Sequence, residues 1–263
     1  MSDYAEGDEL DASRAPLLDH LIELRRRLLY CIAAIALTFG LCLYFSETIF
    51  AFLLQPLKAA GQSTVIYTKI FEAFFVQVKI AFFAAMMLSF PIIAMQLWQF
   101  VAPGLYRKEK KALLPFLCAT PVLFITGAAL AYSVAVPMAL HYGLAFQGDV
   151  GGVKREALPA IGDYLSLIMQ FMFGFGAAFL LPVLLMLLER AGIVTRKGLI
   201  GARRYAIVGA TAIAAVLTPP DLMSQVLLAV PLIVLYELAI IGIWFTERRR
   251  ARDASLPVVV EEP

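Results

Sequence analysis

Charge, histidine and cysteine are all scarce in this chain. Charged residues make up 16% of its 263 residues, against roughly 25% in soluble domains. The 22 basic and 20 acidic side chains leave a net charge of only +2, which says little about partners, while the apolar composition excludes a nucleic-acid binder. There are two histidines, His20 and His141, far apart in the sequence. No Ser-His-Asp arrangement, HExxH helix, phosphate-cradling glycine loop or CxxC pair occurs, so nothing calls for an enzyme, a cofactor or a metal ion. The three cysteines, Cys31, Cys42 and Cys118, lie in apolar stretches and cannot form a disulfide framework. They read as small buried hydrophobes. Met1–Asp19 opens with acidic residues and lacks the basic stretch and apolar core of a secretory signal. The first span is therefore expected to act as its own uncleaved insertion signal.

What the chain has in abundance is apolar surface. Hydrophobic residues make up 61% of it, against roughly 45–50% in soluble domains, and the mean hydropathy is +0.82. Such a chain aggregates in water, so a bilayer is its expected solvent. Marking the charges leaves six apolar windows: Leu28–Phe45, Ile80–Tyr106, Ala112–Gly148, Tyr164–Leu188, Tyr205–Pro220 and Leu222–Thr246. The second extends back through Lys79 to about Ala73, and the helix of the third is expected to end near Pro137. The windows are continuous runs without the alternation a barrel wall requires, so they predict helices. The fifth holds only Tyr205–Leu217 before Pro219-Pro220, about 20 Å of helix against a hydrocarbon core of about 30 Å. It calls for a locally thinned membrane or burial by its neighbours. Pro91, Pro115, Pro121, Pro182 and Pro231 inside spans favour a curved bundle.

An even number of spans puts both termini on one side, and the basic residues name it. Arg14, Arg25, Arg26 and Arg27 precede the first span. Arg107, Lys108, Lys110 and Lys111 follow the second, and Arg190, Arg196, Lys197, Arg203 and Arg204 follow the fourth. The tail adds Arg248, Arg249, Arg250 and Arg252, which places 17 of the 22 basic residues on one face. By the positive-inside rule both termini are cytoplasmic.

The candidate polar sites are few. Pro16–Leu29 reads as an amphipathic helix with the apolar stripe Leu17, Leu21, Leu24 and Leu28. On another face Asp19, Glu23 and Arg27 follow at steps of four, and a Glu23–Arg27 pair is worth about 0.3–0.5 kcal/mol. A carboxylate among three arginines at the membrane surface is also an acceptor for an incoming cation. In Phe100–Lys111, Glu109 is the one acid among four bases. Glu237 interrupts the last span, where a central carboxylate costs roughly 2.5–3.5 kcal/mol. Asp221, after Pro219-Pro220, suits an N-cap for the sixth span.

Several of these segments resemble the TatC family, the polytopic core subunits of the twin-arginine protein translocase. His20-Leu21-Ile22-Glu23-Leu24-Arg25-Arg26-Arg27 is similar to the family's N-terminal signature, and Phe71-Glu72-Ala73-Phe74 with Lys79 to the entry of its second helix. Pro91, Gln96-Leu97-Trp98-Gln99-Phe100-Val101-Ala102-Pro103-Gly104-Leu105-Tyr106 and Glu109 resemble the stretch around its first cytoplasmic loop. Leu217-Thr218-Pro219-Pro220-Asp221 with Gln225 resembles its last external turn. The matches run in the family's order from about residue 17 to 246. Two positions depart from it. Many relatives carry Glu or Gln before the proline of the fourth helix, where this chain reads Phe179-Leu180-Leu181-Pro182, and Met95 replaces a frequent tyrosine.

The resemblance implies a receptor and translocase subunit that binds twin-arginine signal peptides and moves folded proteins across the membrane on the proton-motive force. Its partners would be TatA- and TatB-type single-span subunits, membrane lipid and further copies in a larger complex. It implies contact with the arginine pair at Glu23 and Glu109, with Arg25 and Phe100 on the same surface. A planar guanidinium donates two parallel hydrogen bonds to a carboxylate, a fork lysine cannot reproduce. Pro56 falls at a position tied to assembly or function, and Gln225 and Glu237 at polar positions associated with the partner subunits. The expected fold is an all-α integral membrane protein: six transmembrane helices in a curved, concave bundle, both ends inside, the fifth and sixth spans short. Residues 1–27 would be a cytoplasmic segment, 28–246 the bundle and 247–263 a cytoplasmic basic tail, in the plasma (inner) membrane of a bacterium. The competing class, a small-solute secondary transporter, predicts paired midplane charges and an internal repeat, of which only Glu237 is visible. An intramembrane enzyme has only His141 to offer, near the outer surface.

Overall fold

In hydrocarbon every backbone N–H and C=O must be bonded within the chain, and the long apolar runs accordingly fold as helices. The computed structural model describes residues 3–62, 64–101, 110–218 and 221–254. Its helices are α1 (Asp3–Tyr44), α2 (Ser46–Leu53), α3 (Gln55–Ala59), α4 (Glu72–Val101), α5 (Lys110–Leu130), α6 (Val136–Leu144), α7 (Ile161–Ala178), α8 (Leu181–Arg190), α9 (Arg196–Gly201), α10 (Arg203–Leu217) and α11 (Leu222–Ala254). The amphipathic segment and the first span form a single helix, α1. Five stretches are long and apolar enough to cross a membrane: His20–Tyr44, Glu72–Phe100, Ala119–Leu144, Ile161–Arg190 and Leu222–Arg248. The fifth expected span is α10, whose 15 residues reach about 22 Å.

Two expectations are corrected, on the third span and on the sixth. The third span does not end near Pro137: α5 runs through a π-turn at Ala131–Ala135 into α6, which ends at Leu144. The widened turn precedes Pro137, which occupies the first turn of α6, where its missing N–H and its ring are accommodated. The fourth span carries a local interruption at Phe179-Leu180, after which α8 opens with Pro182 in its first turn. The sixth span is not short: its apolar stretch covers 27 residues. One short hairpin accompanies the helices. Gly148–Val150 pairs antiparallel with Val153–Arg155, with Val150 opposite Val153. Gly151 and Gly152 carry φ of +64° and +84°, the two left-handed residues a tight hairpin turn requires.

The chain divides into two compact units, Met1–Phe52 with Ala73–Pro121 and Leu53–Glu72 with Val122–Pro263. In the first, α1 and α4 meet around Cys42, Ala81 and Ala85, with Phe39, Ile49 and Ala84 packed against them. Small residues there let the backbones approach. Hydroxyls fasten the same pair, Thr38 Oγ1 lying 2.7 Å from Ser89 Oγ, and Ser89 is fully buried. Trp98 Nε1 donates to Thr120 Oγ1 at 2.9 Å, tying α4 to α5.

In the second unit α11 packs against α7, α8, α9 and α10. Leu199, Tyr236, Ile240 and Ile243 form a core cluster with Leu181, Leu185 and Met186 around it, and the Tyr236 hydroxyl donates to the Leu199 carbonyl at 2.8 Å. At the other end Glu72 gathers a loop. Its Oε2 accepts the Thr68 N–H at 2.5 Å, the Thr68 hydroxyl at 2.9 Å and the Lys69 N–H at 3.1 Å. Its Oε1 accepts the Gly162 N–H at 3.1 Å, one of the first-turn donors that α7 cannot satisfy internally.

Gly127 of α5 marks the closest approach to α7, since a Cβ there would lie 2.5 Å from the Phe175 carbonyl oxygen and 2.9 Å from Phe179 Cγ. A backbone carbonyl cannot yield as a side-chain tip does, so Gly127→Ala is expected to destabilise by about 1–3 kcal/mol. At Gly209 a Cβ would meet nothing within 4 Å, and Gly209→Ala should be neutral or slightly stabilising. Thermal unfolding in one detergent compares them, and equal behaviour of the two variants would refute the close crossing.

Candidate functional site

The polar residues of the first unit collect where α1 runs beside the end of α4. Glu23 and Arg27 are one helical turn apart, and the Arg27 Nε donates to Glu23 Oε1 at 3.0 Å. The Arg27 Nη2 donates to that same oxygen. Its Nη1 reaches across to α4, donating to Gln99 Oε1 at 2.8 Å and to Gln96 Oε1 at 3.3 Å. Glu23, Arg26, Arg27, Tyr30, Gln96 and Gln99 line a cavity of about 280 Å³. The second oxygen, Glu23 Oε2, faces His20 Nδ1 at 3.9 Å, beyond hydrogen-bonding distance. His20 in turn stacks on Phe100, with ring centroids 4.2 Å apart and planes 16° from parallel. Arg26 turns outward and its Nε donates to the Tyr30 hydroxyl at 3.2 Å.

Of the residues expected here, the structure brings Glu23 and Phe100 together through His20, and Arg25 is exposed on the same turn of α1. Glu109 and the turn Pro103-Gly104 lie outside the described residues. Arg27, Gln96, Gln99 and His20 were not singled out as site residues from sequence. The available signal was two glutamines three apart at the end of an apolar helix, which places both on one face.

The remaining expected positions lie in the second unit. Pro56 is buried in the first turn of α3, which packs on α6. Asp221 caps α11, its Oδ1 accepting the Ser224 N–H at 2.7 Å. Gln225 Nε2 donates to the Thr211 carbonyl of α10 at 3.3 Å. Glu237 is paired: the Arg203 Nη2, at the start of α10, donates to its Oε2 at 2.7 Å. A second pair, Arg196 Nη1 to Glu247 Oε2 at 3.3 Å, joins α9 to α11. Among the described residues no three His, Cys, Asp or Glu side chains gather closely enough to hold a metal ion.

Five helical stretches long and apolar enough to cross a membrane make this a multi-pass membrane protein, with a small polar cavity walled by α1 and α4. The model of the TatC family, Sec-independent protein translocase proteins, matches residues 19–231. The chain belongs to that family. It is 47% identical to the Sec-independent protein translocase protein TatC of Magnetococcus marinus over 244 residues, 92% of this chain and 89% of the relative. To the TatC of Escherichia coli K12 it is 40% identical over 233 residues, 88% of each chain. Its fold is similar to that of a crystal structure of the twin arginine translocase receptor TatC, with a TM-score of 0.77 and 34% identity over 86% of this chain and 98% of that one. The chain is thus a protein translocase component of the Tat system.

The Arg203–Glu237 contact is half exposed, at 49% and 39% for the two side chains, so its strength is that of an interfacial pair. A double-mutant cycle of Arg203→Ala and Glu237→Ala, read by thermal unfolding in detergent, is expected to give a coupling of about 0.5–1 kcal/mol. No coupling would mean that the two side chains act independently.

Proposed function

We propose that this chain is the receptor for twin-arginine signal peptides, and that the peptide's arginine pair docks at the α1–α4 cavity through Glu23. One observation carries the reading. Glu23 stands in a cavity whose oxygens already hold a guanidinium, that of Arg27, so the site has the acceptor geometry the ligand requires. The similar crystal structure is that of a twin arginine translocase receptor, which supports the reading. Glu109 is the second carboxylate, Arg25 and Phe100 belong to the same surface, and the His20 ring stacked on Phe100 offers a flat apolar wall to the peptide.

The accompanying topology has six crossings with both termini in the cytoplasm, α10 making the short one across a thinned bilayer in a concave bundle. The 17 basic residues on one face support this orientation in a bacterial inner membrane. Pro56, Gln225 and Glu237 are assigned to assembly, Gln225 and Glu237 toward single-span TatB- and TatA-type subunits that complete a translocase driven by the proton-motive force. Asp221 is assigned to the structure of the last external turn. The chain contributes binding and passage, with no catalytic step of its own.

Binding of a synthetic twin-arginine peptide to the detergent-purified protein tests this. A twin-lysine control should bind at least tenfold more weakly, about 1.4 kcal/mol, because an ammonium cannot supply the fork. Glu23→Ala and Glu109→Ala should each remove most of that preference. Equal binding of both peptides, unchanged in either variant, would refute the receptor reading.

A further inference from the structure

The Glu23 cavity contains a guanidinium of the protein's own, placed where the reading above puts the ligand's. The Arg27 side chain is 19% exposed, more enclosed than an ordinary surface arginine, and its donors are spread over three oxygens: Glu23 Oε1, Gln99 Oε1 and Gln96 Oε1. Two of those acceptors are neutral amides, which add directional demand without adding charge. Because Arg27 donates twice to Oε1, a second guanidinium cannot span both oxygens of the Glu23 carboxylate while Arg27 stays in place.

We propose that Arg27 is a resident stand-in for the peptide's arginine, and that Gln96 and Gln99 complete with Glu23 a guanidinium cradle which an incoming arginine takes over by displacing it. This rests on the receptor reading and goes beyond it by naming two further recognition residues and an internal competitor. Exchange of one guanidinium for another conserves the acceptor set, so no carboxylate is left unpaired at the membrane surface at either end of the reaction. A competitor that must leave divides the affinity of every ligand by the same factor. Arg27 therefore sets how strong a peptide must be to bind, while the cradle's geometry sets the choice of arginine over lysine.

The competitor and the cradle have separable signatures in peptide binding to the full-length protein in detergent, measured with the twin-arginine and twin-lysine peptides. Arg27→Gln should tighten both by roughly threefold to tenfold and leave their ratio unchanged. Arg27→Lys keeps the charge and loses the fork, so it should tighten both by an intermediate factor. If Arg27→Lys binds as the wild type does while Arg27→Gln tightens, simple charge repulsion suffices and the proposal falls. Gln99→Leu alone removes an acceptor from resident and ligand alike and should change twin-arginine binding by less than about twofold. Placed on Arg27→Gln, the same substitution should weaken binding by about threefold or more.

Thermal unfolding of each variant identifies any that fails to fold, and Arg27→Lys then reads the competition in place of Arg27→Gln. Weaker or unchanged binding in a folded Arg27 variant would overturn the proposal and leave Arg27 as a support for Glu23. Failure of the receptor reading looks different: the wild type itself would show no Glu23-dependent binding, and the proposal would fall with it.

Discussion

A peptide group in hydrocarbon has no water to bond, and the architecture follows from that constraint. It explains why the apolar runs are helical, and also how three of the prolines are seated, although Pro91 and Pro231 lie inside α4 and α11. Pro56, Pro137 and Pro182 all lie in the first turn of a helix, where a missing N–H leaves no carbonyl stranded. The π-turn at Ala131–Ala135 does the same work just ahead of Pro137. Helix entry at α7 obeys the rule from the donor side. The Ile161 N–H bonds the Ile66 carbonyl and the Gly162 N–H bonds Glu72, so two first-turn donors of α7 are satisfied by a loop distant in sequence.

Side-chain polarity is handled in the same way. Thr38 and Ser89 bond each other across α1 and α4, which removes two hydroxyls from contact with lipid at the price of fixing the register of those helices. Glu237, which from sequence alone looked expensive, is answered by Arg203. That pairing also bears on the short helix α10. It anchors the helix at its first residue to α11, while the Thr211 carbonyl accepts Gln225 further along. The short helix α10 is thereby held at two points by polar contacts to a longer neighbour.

What could be read from the sequence was what depends on neighbours in the chain. The presence of five long apolar helices, the shortness of α10, the Asp221 cap and the Glu23–Arg27 turn all arise from spacings of about four residues or from uninterrupted runs. The misses have three origins. Continuity through Pro137 and the break at Phe179-Leu180 depend on how a helix accommodates proline, which in one case was a widened turn and in the other a restart. The Gly151-Gly152 hairpin carried its own signal, two glycines between valines, masked by the apolar weight of the flanking spans. The pairing of Arg27 and Glu237 with their partners on other helices is not written in the sequence around either residue. They lie 69, 72 and 34 residues away in the chain, and only packing supplies them.

On the proposed receptor reading, the composition of the Glu23 cavity favours discrimination by direction over attraction by charge. Had the positions of Gln96 and Gln99 been acids, any cation would be drawn in, and an ammonium would lose little against a guanidinium. Neutral amide oxygens hold weakly unless a donor points at them. A planar fork with five N–H groups can satisfy a carboxylate and two amides from one fixed geometry, whereas three donors on a rotating ammonium can serve only those acceptors that crowd a single point. One charge and two neutral oxygens therefore separate arginine from lysine more sharply than three charges would, and they do so without leaving a cluster of unpaired carboxylates beside the membrane. The same geometry accounts for the guanidinium of Arg27 resting there in the free protein.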